Sequence, residues 1–124
     1  MPDSNVPVVK NSSKIERQVV TAGNATEFQV LLGEGDRTPN FAMRRFIMGE
    51  GGGMPRHTNT VEHEQYVLRG AAEISIGDET HAVSADDVVY IPAGVPHSYR
   101  VTSDEPFEFL CMVPNLPDEV RLDD

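Results

Sequence analysis

His57, Asn59 and His63 stand at odd-numbered positions in "RHTNTVEHEQYVLRG" (residues 56–70), and His97 closes the later stretch "PAGVPH". In an extended chain alternate side chains share a face, so His57 and Asn59 point one way; turn residues before His63 loosen the argument for that residue. Imidazoles suit a borderline transition metal, and three of them leave coordination positions open for water or substrate. Each histidine taken alone is as readily an ordinary side chain hydrogen-bonded at the rim of a fold. His81, the remaining histidine, follows "GDET" and reads as a solvent-facing strand residue.

Short apolar runs rich in Val, Ile, Phe and Tyr, separated by turn residues at intervals of roughly ten, are the mark of an all-β sandwich or barrel. The predicted strands are "RQVVTA", "EFQVLLG", "NFAMRRFIM", "EQYVLRG", "AAEISIG", "THAV", "DVVYI", "HSYRVT" and "FEFLCMV". No stretch keeps an apolar stripe at helical spacing. "GEGGGMP" and "PAGVP" read as turns, and Gly77-Asp78 as a tight hairpin. "GEGGG" lacks the following helix that a phosphate cradle needs. In a small barrel, residues at the mouths of different strands converge, which would bring imidazoles from separate hairpins to one point.

The chain has 124 residues, enough for one domain with its own core. Residues 1–124 are expected to form a single domain, with an N-terminal arm over about 1–14 and a C-terminal tail over about 117–124, each loose or reaching a neighbouring subunit. Twenty acidic residues against 10 Lys plus Arg give a net charge of -10, which disfavours nucleic acid and anionic membranes as partners. No apolar run is long enough for a signal peptide or a membrane span, and the single cysteine, Cys111, fits a reducing compartment; the expectation is a cytoplasmic protein.

The two histidine-bearing segments resemble the motifs of the cupins, small metal-binding jelly-roll β-barrels. Gly51, His57, Asn59, His63 and Gly70 fall on the places of the first motif, and Pro92, Gly94 and His97 on those of the second. The sequence "EHE" at residues 62–64 is similar to that of a manganese-binding subgroup of single-domain cupins whose third ligand is histidine. The resemblance implies a cupin double-stranded β-helix and a site made by His57, Asn59, His63 and His97. It also implies one divalent transition metal, Mn or Fe first, with Ni, Co or Zn as other occupants. Three positions depart from the pattern: Asn59 replaces a histidine, Asp86 a glycine and Val101 an asparagine. An amide oxygen is a harder and weaker ligand than imidazole, so affinity should fall. Asp tolerates the left-handed backbone, so the turn at 86 should survive.

Likeness to that subgroup also outlines a substrate pocket. Phe109, Cys111 and Val113 alternate on one face and look into the barrel, Arg44 is a pocket cation, and Met54 sits at the mouth. Cys111 by itself reads as a small buried hydrophobe. Gln65 can turn inward as a hydrogen-bond donor that orients a histidine or a bound water. Tyr66 and Tyr99 are expected to pack against a second sheet with their hydroxyls reaching water or a neighbour. Arg44 and Gln65 are the candidate catalytic residues. The favoured function is a metal-dependent enzyme, dioxygenase-like, cleaving a small organic molecule oxidatively. The other reading is a non-catalytic module that binds a small molecule around a weak or structural metal. A homodimer is expected by likeness to small cupins.

Overall fold

The computed structural model describes residues 5–122, so the ends of the arm and tail, residues 1–4 and 123–124, lie outside it. The described residues form ten antiparallel strands: β1 (Gln18–Val19), β2 (Asn24–Leu32), β3 (Phe41–Asn59), β4 (His63–Arg69), β5 (Ala71–Ile76), β6 (Glu79–Ser84), β7 (Val88–Ile91), β8 (His97–Val101), β9 (Phe107–Pro114) and β10 (Val120–Leu122). No helix among the described residues is long and apolar enough to cross a membrane. The fold is all-β, with the sheet curled around one interior.

β3 organises that curl. Its first half, Phe41–Met48, pairs with β2 on one side and β9 on the other, whereas its second half pairs with β8 and β10. The same strand therefore belongs to both faces of the barrel. The predicted turn at "GEGGGMP" is instead the bend inside this strand, because glycines there let the backbone change direction without leaving the hydrogen-bond ladder. Gly51 and Gly53 have φ of +73° and +153°, and a Cβ on Gly53 would lie 2.1 Å from the Tyr99 carbonyl oxygen. Only glycine lets β3 and β8 approach so closely. The Gly77-Asp78 hairpin forms as expected, with Ile76 paired to Glu79, and Asp86 adopts the left-handed backbone at φ +76°.

Alternation then sorts the side chains. Along β4, His63, Gln65 and Val67 are buried while Glu64, Tyr66 and Leu68 face outward; along β8, His97, Tyr99 and Val101 are buried. Phe107, Ile74, Ile91 and Val67 are wholly enclosed, and removing each such side chain from water contributes about 1.5–3 kcal/mol. On the outer face of β9, the buried Glu108 carboxylate is clasped by Arg45 of β3 and Arg69 of β4, which ties three neighbouring strands together.

The described parts of the arm and the tail both dock on the barrel. Gln29 donates from Nε2 to the carbonyls of Ser12 and Ile15, at 2.7 and 2.8 Å, anchoring the arm. The tail returns as β10, pairing Val120 with Asn59 and Leu122 with His57. The alternation of Val120 and Leu122 was the sequence's sign of this strand.

Candidate metal and substrate site

Strand pairing assembles the site. His57 on β3 is directly opposite His97 on β8, and their ring centroids are 4.2 Å apart; His63, at the start of β4, has its ring centroid 5.9 Å from that of His97. All three rings and Asn59 are buried and border one cavity of about 360 Å³.

The hydrogen bonds reveal which atoms remain for chemistry. Nδ1 of His57 lies 2.8 Å from the Pro55 carbonyl and Nδ1 of His97 lies 2.9 Å from that of Val95. A carbonyl only accepts, so in each neutral ring the proton sits on Nδ1 and Nε2 keeps its lone pair. This carbonyl-oriented imidazole is the usual arrangement behind a metal-bound histidine. Asn59 donates from Nδ2 to Asp118, leaving Oδ1 without a partner, and Nε2 of His63 and of His97 are likewise buried without one. An unsatisfied buried polar atom costs about 1–3 kcal/mol. Three of them on one cavity make a concentration of unused donors, and their chemistry fits a divalent transition metal. Among the described residues no three His, Cys, Asp or Glu side chains stand ready as a coordinating group, so a bound cation would have to draw the rings together.

The electrostatics keep these donors neutral. Burial, followed by the Arg44 guanidinium and the neighbouring rings, lowers the pKa of His63 to about 3. Burial, aided by His57 and Arg56 and opposed by the Val95 hydrogen bond and Asp118, lowers that of His97 to about 4. Both values lie below that of an unfolded histidine, so the unfolded chain takes up protons first. The contribution to stability is complete above about pH 6.5 and is lost as pH falls toward 4. Metal-free protein should accordingly lose about 2 kcal/mol per pH unit between pH 6 and 5, measured by urea denaturation. A flat profile over that window would mean that neither ring is held neutral.

The predicted pocket residues separate into groups. Arg44, Met54 and Phe109 border the cavity with Gln65. Cys111 lies just behind, its Sγ 3.4 Å from Arg44 Nη2 and 3.5 Å from His63 Nδ1, and burial raises its pKa, so it remains a thiol. Val113 instead borders a different hollow with Val30, Ala42 and Leu116, because two further residues along β9 carry it past the end of the site. Tyr99 departs from its expected place: it is buried on the cavity wall, its hydroxyl 2.7 Å from Gln65 Nε2, and burial raises its pKa. Tyr66 stays at the surface and donates to Asp86.

Two features of the wall were not predicted. Phe28, Phe46, Phe109 and Tyr99 form a continuous row of stacked rings, with successive centroids 5.8, 5.2 and 5.4 Å apart and planes within 22°. Arg44 lies over Phe46, 5.1 Å from its centroid, with Nε buried and partnerless, and it makes no ion pair among the described residues. The other missed residue is Asp118, which the tail carries to within 4.0 Å of His63 Nε2.

The family described as Cupin domain matches residues 44–113, more than half of the chain. The 1-methylthio-D-xylulose 5-phosphate methylsulfurylase of Rhodospirillum rubrum is 32% identical over 114 residues, covering 87% of this chain. Quercetin 2,3-dioxygenase of Bacillus subtilis is 31% identical over 104 residues, covering 83%. The chain spans 65% and 30% of the lengths of these two relatives. The polyketide cyclase RemF of Streptomyces resistomycificus superposes with a TM-score of 0.88 at 24% identity, over 96% of this chain and 87% of that one. The barrel, the paired histidine segments and the family match lead to one conclusion: this chain is a member of the cupin superfamily.

Proposed function

We propose that the chain is a metal-dependent cupin enzyme that cleaves a small, planar, anionic organic molecule with dioxygen. The observation that carries this reading is the set of partnerless donors, Asn59 Oδ1, His63 Nε2 and His97 Nε2, turned toward a single cavity. The "EHE" at residues 62–64 supports manganese as the occupant, with iron next. Such an ion supplies Lewis acidity and access to dioxygen chemistry.

The chain's own residues support this substrate class. The stacked row ending at Tyr99 favours a flat ring system laid against it. Arg44, without a carboxylate partner, offers its guanidinium to an anionic oxygen. Gln65 and Tyr99 hold each other by a hydrogen bond and keep a polar edge in an otherwise apolar wall. The relative named quercetin 2,3-dioxygenase agrees with a reaction that uses dioxygen. The methylsulfurylase relative is named for a phosphorylated sugar, which Arg44 also suits and the aromatic row does not.

Oxygen uptake by Mn- or Fe-loaded protein over a panel of aromatic and enolic acids tests the proposal. Turnover that disappears with chelator is expected. Binding that is equal with and without metal, and no turnover, would favour the second reading, a binding module, for which Asn59 in place of imidazole speaks. Arg44→Gln should weaken aromatic carboxylates at least tenfold, about 1.4 kcal/mol, while matched neutral alcohols bind as before. Equal losses for both would make Arg44 a structural residue.

A further inference from the structure

β10 is only three residues long, yet it pairs with the segment of β3 that carries His57 and Asn59. That pairing sets Asp118, two residues earlier, over the site. Its carboxylate accepts from the Thr60 backbone N–H at 3.1 Å and from Asn59 Nδ2 at 3.1 Å, and Thr60 Oγ1 further ties the turn to the Pro117 carbonyl and the Glu119 N–H. The side chain is three-quarters buried, with Oδ2 4.0 Å from His63 Nε2.

Resting on the metal reading above, we propose that Asp118 is a protein ligand of the ion, supplied by the tail where the cupin pattern would have its second histidine, and that Asn59 is its positioning residue. A carboxylate only accepts hydrogen bonds, so the Asn59 amide must turn its nitrogen toward Asp118. The residue that departs from the motif is thus engaged in holding an anion beside the remaining imidazoles. Two donors on one ion with bonds of about 2.1 Å lie about 3–4 Å apart, depending on the angle. The 4.0 Å between Asp118 Oδ2 and His63 Nε2 falls within that span. Charge favours the same assignment: three neutral imidazoles leave a divalent ion uncompensated in a buried site, and one carboxylate halves the excess. A mere tether for the tail has its anchor in Thr60 and needs no further contact from Asn59 to Oδ2, the contact that holds this oxygen beside His63.

Mn(II) titration by calorimetry, on the full chain freed of metal, provides the test. Asp118→Asn keeps the shape and the Thr60 contact while removing the charge, and with the Asn59 amide turned over to offer its Oδ1 to the new NH2 it should weaken Mn(II) at least tenfold with little change in the metal-free Tm. Adding Asn59→His to that variant restores the motif imidazole and should recover most of the affinity. Glu119→Gln, at an exposed neighbour, should bind as the unaltered chain does. Equal affinity for the unaltered chain and Asp118→Asn overturns the assignment of Asp118 alone. Failure of the Asn59→His addition to recover affinity lost in Asp118→Asn also overturns it, since the loss would then not be of a ligand at that place. Absence of saturable binding in the unaltered chain overturns the metal reading itself, and this assignment with it.

Discussion

His97→Ala is expected to reduce Mn or Fe affinity by more than a hundredfold and to abolish metal-dependent turnover, with the fold retained. The expectation follows from where the ring stands. His97 faces His57 across the β3–β8 pair and its ring also contacts that of His63, so it is the ring that touches both of the others. Loss of a residue that only orients a ligand costs about 10–100-fold in metal affinity, and on the proposed reading loss of a ligand itself costs more. Retention of the fold follows from the opposite ledger: alanine removes a partnerless buried nitrogen together with the ring's packing. Metal binding by calorimetry and the circular dichroism of the same sample separate the two effects. Full affinity in a folded His97→Ala protein would place the ion, if any, elsewhere.

Gly53→Ala has the largest expected effect on stability. The added Cβ would meet the Tyr99 carbonyl carbon at 2.9 Å and its oxygen at 2.1 Å, both backbone atoms that cannot swing aside, and the φ of +153° is itself closed to alanine. Relief requires β3 and β8 to part at the residues next to the Met54–Tyr99 and His57–His97 pairs, so the site opens with the sheet. A loss of more than about 4 kcal/mol is expected, in the range reserved for severe backbone or core disruption. Gly51→Ala is the internal control: its φ is also positive, at +73°, but nothing lies within 4 Å of the added carbon, so about 1–2 kcal/mol is expected. Urea denaturation of both variants checks the contrast. Similar losses at the two positions would mean that strand approach, as opposed to backbone angle, has no part in the bend.

These two positions also mark what the sequence makes legible. The all-β class and the hairpin at Gly77 follow from period-two alternation and turn chemistry, which are local. The placement of His57, His63 and His97 around one interior follows from motif spacing on strand ends. The bend at Gly51 and Gly53 was hidden because a glycine run reads as a turn unless one knows that a second strand presses against it. The stacked row from Phe28 to Tyr99 depends on the register of four strands, and only the pairing of β2, β3, β9 and β8 with their neighbours brings those rings together. Asp118 was hidden for the same reason in stronger form: its place depends on a three-residue strand that pairs Val120 with the distant Asn59, while the acidic tail around it reads as solvated surface.

The ligand set of a bound Mn(II) ion decides whether the three imidazoles share one cation. Pulsed electron paramagnetic resonance on the full chain, loaded with one equivalent of Mn(II), should detect coupling to imidazole nitrogen, and that coupling should diminish in His57→Ala, His63→Ala and His97→Ala alike. A Mn(II) signal without histidine nitrogen coupling, or one unchanged in all three variants, would contradict the account.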